Sequence, residues 1–328
     1  MKFSHSLITI TAIAQSPVYT DAHTSCLRVP HNLREHRAHL NMTPLDDVTT
    51  PISQCLTSSH LESYLPSIID YRLSDKVVSP VKDQGQCGSC WAFSSAESLE
   101  GQLGLNGHRI NVSTQNFVDC VTVDYGCGGG WMDDALAYAE KTGVEKDGDY
   151  PYVATSQECQ ANASEASIKP TAYVDIPPGD DNLRKALLIL GPVSIALDAT
   201  DNFQMYNSSD YIFNDDSCDA TMPDHALLLT GYNDIEGYWI VKNSWNTDWG
   251  RNGYIYINNS VPNVCGISSY AVAPYIAPVS VEEEQHRLMA HMQSIQTDME
   301  VILTFEEDDD EDEDYDDEDY DVILELLL

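Results

Sequence analysis

The sequence predicts an α+β protein built as two lobes. Two observations carry this. Three segments with helical spacing of apolar residues precede Gly191, and four short strands separated by Asn, Asp and Gly follow it. With 328 residues, 42% of them hydrophobic, the chain is long enough to bury a substantial core. A cleft where two lobes of different class meet is a common place for a substrate site.

Taken in order, the chain opens with Lys2 before an apolar run from Leu7 to Ala14. Ala12-Ile13-Ala14 has the A-x-A form that closes a signal peptide. Residues 15–64 are polar, rich in Thr, Ser, His and Pro, and read as a short leader or propeptide. Residues 65–275 form the globular part. There, Trp91 to Leu103 places apolar residues at 91, 92, 93, 96, 99 and 103, a helical spacing. Asp133–Lys141 and Asn182–Leu190 also read as helices, each opened by a good N-cap type and closed near a glycine. VSIAL (193–197), HALLLTGY (225–232), YWIVKN (238–243) and GYIYIN (253–258) read as strands. Residues 276–328 form a tail. Leu288, Met292, Ile295, Met299 and Ile302 are spaced for a helix over 281–303, and fourteen of the sixteen residues from Glu306 to Asp321 are acidic. Such a run repels itself and is expected to stay disordered and solvated. No segment is apolar for the ~20 residues a membrane span needs.

Charge excludes one class of partner. The chain has 53 acids and 16 bases, a formal net charge of −37, whereas nucleic-acid binding needs clustered Lys and Arg. From Ser63 to Tyr275 alone there are 28 acids and 11 bases, which suits an acidic compartment. Five Asn-x-Ser/Thr sequons, at Asn41, Asn111, Asn162, Asn207 and Asn258, are compatible with a secretory route.

Of nine cysteines, seven lie between Cys87 and Cys265. Six make three bridges and leave one thiol, which is flagged as reactive. Cys87 and Cys90 form a C-x-x-C in QGQCGSCWAF, and three readings compete for it. A zinc site needs a second such pair or paired histidines, and neither is present. A redox dithiol belongs to a small α/β domain after a strand, which is not the setting here. The third reading is a bridged Cys87 beside a free Cys90 at the start of a helix. A helix N-terminus favours a thiolate, and a thiolate is a good nucleophile.

A nucleophilic thiol needs a proton partner. Only His108 and His225 lie in the globular part. His108 sits in the polar turn NGHRI and reads as a solvated loop residue, while His225 stands at the mouth of the strand ALLLTGY. Asn243, at the end of YWIVKN, can hold the imidazole ring, and the neighbouring Trp245 indole can keep water from that contact. Gln84 and the Cys90 backbone N–H are candidate donors to an oxyanion.

QGQCGSCWAFS, VSTQNFVDC, YGCGGGWMD, DYPY, PDHALLLTGY and NSWNTDWGRNGYIYI together resemble the papain family of cysteine proteases, nearest its cathepsin L-like group. The resemblance covers roughly residues 65–275. It implies a papain-like fold with a helical N-terminal lobe, a β-barrel-like C-terminal lobe and the active-site cleft between them. It makes Cys90 the nucleophile, His225 the acid/base, Asn243 the orienting residue and Gln84 the oxyanion donor. It pairs Cys87 with Cys127, Cys120 with Cys159, and Cys218 with Cys265. Gly129 and Gly130 are placed along the cleft against the substrate backbone. Met132, Ala196, Pro223 and Tyr270 line the pocket for the residue two before the cleaved bond, and Asp224 and Trp245 also belong to the substrate cleft. Tyr270 at the floor implies a preference for Leu or Val over Phe and Arg.

The resemblance implies no cofactor and no metal. It implies protein or peptide substrates, cystatin-type inhibitors, a monomer, and a lysosomal, digestive-vacuole or extracellular location. Three departures stand out: Asn246 replaces the usual Gly, Thr114 the usual Glu, and Tyr71 the Trp of a DWR motif. Asn246 is expected at a left-handed turn that Asn tolerates. The leader lacks the helical propeptide signature, with LNMTPLDD (40–47) a faint echo of its end, and the mature chain is expected to begin between about Glu62 and Ser67. The short Cys120–Gly130 segment lacks a His-rich insertion, which favours an endopeptidase over an exopeptidase. A thiol–disulfide oxidoreductase and an inactive binding homologue are the alternatives from other classes.

Overall fold

A computed structural model describes residues 65–276 except 163 and 208–210. The signal-like segment, the leader, Cys26, Cys55, the tail helix and the acidic run lie outside the described residues.

Three helices lie in the first half of the described chain. α1 spans Cys90–Leu105, α2 Thr114–Cys120 and α3 Met132–Thr142; α4 (Asp180–Leu190) and the single turn α5 (Asp201–Gln204) come later. The strands are β1 Ile68–Asp70, β2 Ala172–Ile176, β3 Val193–Leu197, β4 His225–Asn233, β5 Tyr238–Lys242, β6 Tyr254–Asn258 and β7 Tyr270–Tyr275. They form one antiparallel sheet in the order β2-β7-β3-β4-β5-β6, with β1 pairing β4 beyond the end of β3. This is an α+β arrangement in which the strands predicted after Gly191 form most of the sheet. β1 and β2 join it from before Gly191.

The predicted helices and strands fall where the apolar spacing put them, within two residues. The expected N-caps do not. α3 follows Trp131 and α4 follows Gly179, neither with a capping side chain. Asp133 and Asp134, and Asp180 and Asp181, instead sit in the first turns, where carboxylates offset the positive end of the dipole. Gly143 and Gly191 end these helices at φ of 80° and 78°, as predicted.

α1 is buried almost all round, from Trp91 to Gly104. Its apolar residues Trp91, Ala92, Ala96 and Leu99 pack with Phe117 and Val118 of α2, with Met132, Ala135, Leu136 and Ala139 of α3, and with Ala196, Ala226 and Val272 of the sheet. Two of its three serines satisfy their hydroxyls on the opposite lobe: Ser94 Oγ donates to Leu227 O at 2.6 Å and Ser98 Oγ to Pro192 O at 2.9 Å, while Ser95 Oγ donates to Trp91 O at 2.8 Å within the helix. Gly104 allows the closest approach, since a Cβ there would meet Lys76 O at 2.1 Å. β4 is buried at all nine positions, which fits its apolar run from Ala226 to Leu229. α1 and β4 are thus packed together, and their first residues, Cys90 and His225, meet at the same place.

Candidate active site

Cys90 is the first residue of α1, and Ser89 before it makes no side-chain cap. The uncapped N–H groups and the positive end of the helix dipole therefore face the thiol. Cys90 is half-buried and is the one free cysteine among the described residues. The other six are bridged as Cys87–Cys127, Cys120–Cys159 and Cys218–Cys265.

His225 begins β4 and is buried. Its Nε2 lies 2.8 Å from Asn243 Oδ1. The amide oxygen is an acceptor, so Nε2 carries a proton and the other ring nitrogen, Nδ1, is left for Cys90. Burial pushes the Cys90 thiol up, but the hydrogen bond and charge of His225, with the backbone N–H groups of Ala226 and Trp91, outweigh it and hold the thiol below its ordinary value. Burial pulls His225 down. The Cys90 hydrogen bond and charge, the Asn243 hydrogen bond and the charge of Asp224 outweigh that and raise it. Opposite shifts of this kind favour a thiolate beside an imidazolium.

Asn243 follows β5, and its Oδ1 also accepts the Ser244 N–H at 2.8 Å. Trp245 stacks on the imidazole, ring centroids 4.5 Å apart and planes at 29°. Phe203 of α5 and Trp249 close over Trp245 at 5.9 and 5.3 Å. These rings exclude water from the His–Asn contact and strengthen it.

Gln84 is buried and its amide is fixed at both ends. Nε2 donates to Cys87 O at 2.9 Å, and Oε1 accepts from Ser244 Oγ at 2.6 Å. An amide nitrogen has two hydrogens, so one remains to donate. Ser244 links Asn243 to Gln84, a role for which the sequence offered only its place in NSW.

The substrate-cleft candidates separate into groups. Met132 and Ala196 are buried in one apolar cluster, with Tyr270 packed against it, and Ala196 pairs directly with Tyr270 across β3 and β7. Half-buried Pro223 is not part of that cluster. Trp131, absent from the sequence candidates, packs on Tyr270 at 4.9 Å. Burial, then the hydrogen bond and charge of Asp133, push the Tyr270 phenol far up, so it stays neutral. Asp224 is exposed, and its carboxylate accepts from Ala199 N–H at 2.8 Å. The two glycines differ: a Cβ on Gly129 would point into open space, whereas one on Gly130 would strike the Trp91 ring at 2.7 Å. Gly129 leaves room for an extended chain to approach, and Gly130 is small because it packs on α1. His108 is exposed in its turn, and Asn246 has the expected left-handed φ of 63°. No group of three or more metal-ligand residues occurs among the described residues.

The sequence profile of the papain family of cysteine proteases matches residues 65–275. The chain belongs to the papain family. Cathepsin K of Mus musculus is 43% identical over 219 residues, 65% of this chain and 66% of that protein. Cathepsin L of Sarcophaga peregrina is 41% identical over 221 residues, 65% of this chain and 64% of that one. The chain therefore spans just under two thirds of the length of these curated relatives. Among solved structures, digestive procathepsin L 3 of Tenebrio molitor larval midgut aligns with a TM-score of 0.62 and 32% identity, over 80% of this chain and 94% of that one. A Carica candamarcensis cysteine protease in complex with E-64 aligns with a TM-score of 0.59 and 35% identity, over 65% of this chain and 100% of that one. This papain-family member has the α+β two-lobe architecture of these neighbours.

Proposed function

We propose that this protein is a cysteine endopeptidase acting through a thioester acyl-enzyme. The observation that carries this is the line from Cys90 through His225 to Asn243, with the thiol lowered and the imidazole raised. The Cys90 thiolate attacks the peptide carbonyl, and the developing oxyanion accepts from the free Gln84 Nε2 hydrogen and the Cys90 N–H. His225 then protonates the leaving amine from Nδ1. Water, deprotonated by the same nitrogen, hydrolyses the thioester and restores the thiolate. No cofactor or metal enters this sequence of steps.

Substrates are extended peptides or proteins lying along Gly129, with one side chain directed toward Tyr270. The short Cys120–Gly130 segment carries no His-rich insertion to block the cleft, which supports endopeptidase over exopeptidase action. Cystatin-type proteins are the expected inhibitors, and the chain acts as a monomer in a lysosomal, digestive or extracellular compartment. An epoxide or vinyl-sulfone thiol inhibitor tests the mechanism. Labelling at Cys90 alone, abolished in Cys90→Ser and His225→Ala, is expected. Labelling of both Cys87 and Cys90 without prior reduction would replace this reading with a redox one.

A further inference from the structure

Tyr152 lies outside every helix and strand, yet its hydroxyl joins two parts of the catalytic centre. It donates to the main-chain oxygen of Gln84 at 2.9 Å and lies 2.6 Å from Ser89 Oγ. A phenol has one proton and the Gln84 carbonyl can only accept, so Ser89 Oγ is the donor in the second bond. Burial raises the Tyr152 phenol, only partly opposed by the Ser89 hydrogen bond, so its proton stays in place. Ser89 is fully buried. Its one other acceptor within reach is Cys87 O at 3.4 Å, a poor contact. The phenol ring packs edge-on against Phe93, one turn beyond Cys90, with centroids 4.8 Å apart.

The segment carrying Tyr152 is held on both sides. Ser113 Oγ donates to Tyr150 O at 2.6 Å, and Val153 N–H donates to Gln115 Oε1 at 2.9 Å. Gln115 Nε2 donates to Thr155 O at 2.8 Å, and Cys159 is bridged to Cys120 of α2. The hydroxyl therefore has a fixed position relative to α2.

The Tyr152 hydroxyl ties Ser89, which immediately precedes the nucleophile, to Gln84, which carries the other oxyanion donor. The oxyanion site requires the Gln84 Nε2 and Cys90 N–H to converge on one atom, and small misplacement of such donors is costly. We infer that Tyr152 is a positioning residue that sets the spacing of the two oxyanion donors through its bonds to Ser89 and Gln84. Resting on the acyl-enzyme reading, this inference separates oxyanion stabilisation from thiolate formation, because Tyr152 bonds neither Cys90 Sγ nor the imidazole.

The test compares the full chain with Tyr152→Phe, which keeps the ring and its packing on Phe93. Both are activated identically and normalised by active-site titration. A Leu-containing fluorogenic peptide, iodoacetamide and a peptide aldehyde are the probes. Alkylation by iodoacetamide forms no oxyanion, whereas hydrolysis and hemithioacetal formation do. The expected result is kcat lower by about 10- to 30-fold, a KM within about twofold, a weaker aldehyde Ki, and an unchanged rate and pH profile of alkylation. An unchanged kcat, or an equal fall in kcat and alkylation, would overturn the inference. If Tyr152→Phe does not fold, Ser89→Ala takes its place, with a kcat loss of about three- to tenfold and unchanged alkylation expected; unchanged kcat there overturns it. A wild-type chain that alkylates but cleaves no peptide would instead overturn the acyl-enzyme reading.

Discussion

The side-chain oxygen of Asn243 accepts from both His225 Nε2 and Ser244 N–H, and its amide nitrogen is buried without a partner. Leaving a buried N–H unpaired is unfavourable, so the amide is held in this orientation by its two acceptor bonds. The hydrogen bond to Asn243 is one of the interactions that raise His225. Asn243→Ala is therefore expected to move the alkaline limb of kcat/KM to lower pH and to reduce its plateau about tenfold. The acid limb, set by Cys90, should remain below the ordinary thiol value. A pH–rate profile of both forms checks this; an alkaline limb that does not move counts against the orienting role. Tyr270 is the residue proposed to set specificity. It packs on Trp131 and pairs with Ala196; as the proposed floor of the pocket it would shorten it, so Leu or Val should be preferred over Phe and Arg two residues before the cleaved bond. Tyr270→Ala should shift the Leu-to-Phe ratio of kcat/KM toward Phe by about tenfold, the scale of a few methylenes in a pocket. A peptide panel in which Arg or Phe already outruns Leu on the unmodified chain contradicts this assignment.

Among the elements, α1 and β5 are joined by an ion pair, Lys242 Nζ to Glu97 Oε1 at 2.9 Å, with both side chains buried. Beside it, Lys82 meets Glu100 at 2.7 Å. Burial raises Glu97 despite Lys242 and Lys82. Lys242→Met leaves that carboxylate buried without its partner and should cost about 3 kcal/mol at neutral pH, less under acid conditions where Glu97 takes up a proton. Urea denaturation at two pH values measures it, and an equal loss at both would point to packing instead. The sequence showed α1, α3 and α4 because each is long enough to display a helical period, and β3 to β6 because each is a short apolar or β-forming run set off by Asn, Asp or Gly. It did not show α2, whose seven residues span barely two turns, or β1, which has three residues. β7 was hidden by Pro274, which reads against a strand. Its pairing with β3 runs only from Tyr270 to Val272, so the residue without an N–H lies beyond that ladder. Cys90, His225, Asn243 and Gln84 were legible through local motifs. Ser244, Phe203, Tyr152 and Trp131 were not, because their roles arise only from contacts across the fold.

At the scale of the molecule, burial raises several carboxyls: Glu97, Asp134, Asp147 and Asp175, with Asp124 pushed up to about 6. A carboxyl raised on folding binds more protons folded than unfolded at pH values between the two pKa values. Stability therefore falls as pH rises through that window. Asp215 and Asp219 are lowered by their hydrogen bonds and act in the opposite sense, but only at more acid pH. The Tm should be several degrees higher near pH 5 than near pH 7.5, with the difference reduced by salt; equal values would refute the linkage. On the proposal that a leader is removed, two contacts bear on where the processed chain begins. Tyr232 Oη donates to Pro66 O at 2.6 Å, and Asp234 N–H to Ser67 O at 2.8 Å. N-terminal sequencing of the active form should find a first residue no later than Pro66; a start at Ile69 would remove both bonds and the first residue of β1.

The bridge between Cys87 and Cys127 also bears on oxidative damage. A thiolate oxidised to a sulfenic acid is usually rescued by a neighbouring thiol that condenses with it. Cys87, three residues from Cys90, is already occupied, as is every other cysteine among the described residues. Peroxide exposure should therefore silence Cys90 without forming a disulfide to any other cysteine among the described residues. Recovery then depends on a small reductant from outside, so the redox state of the surroundings sets how long the nucleophile survives.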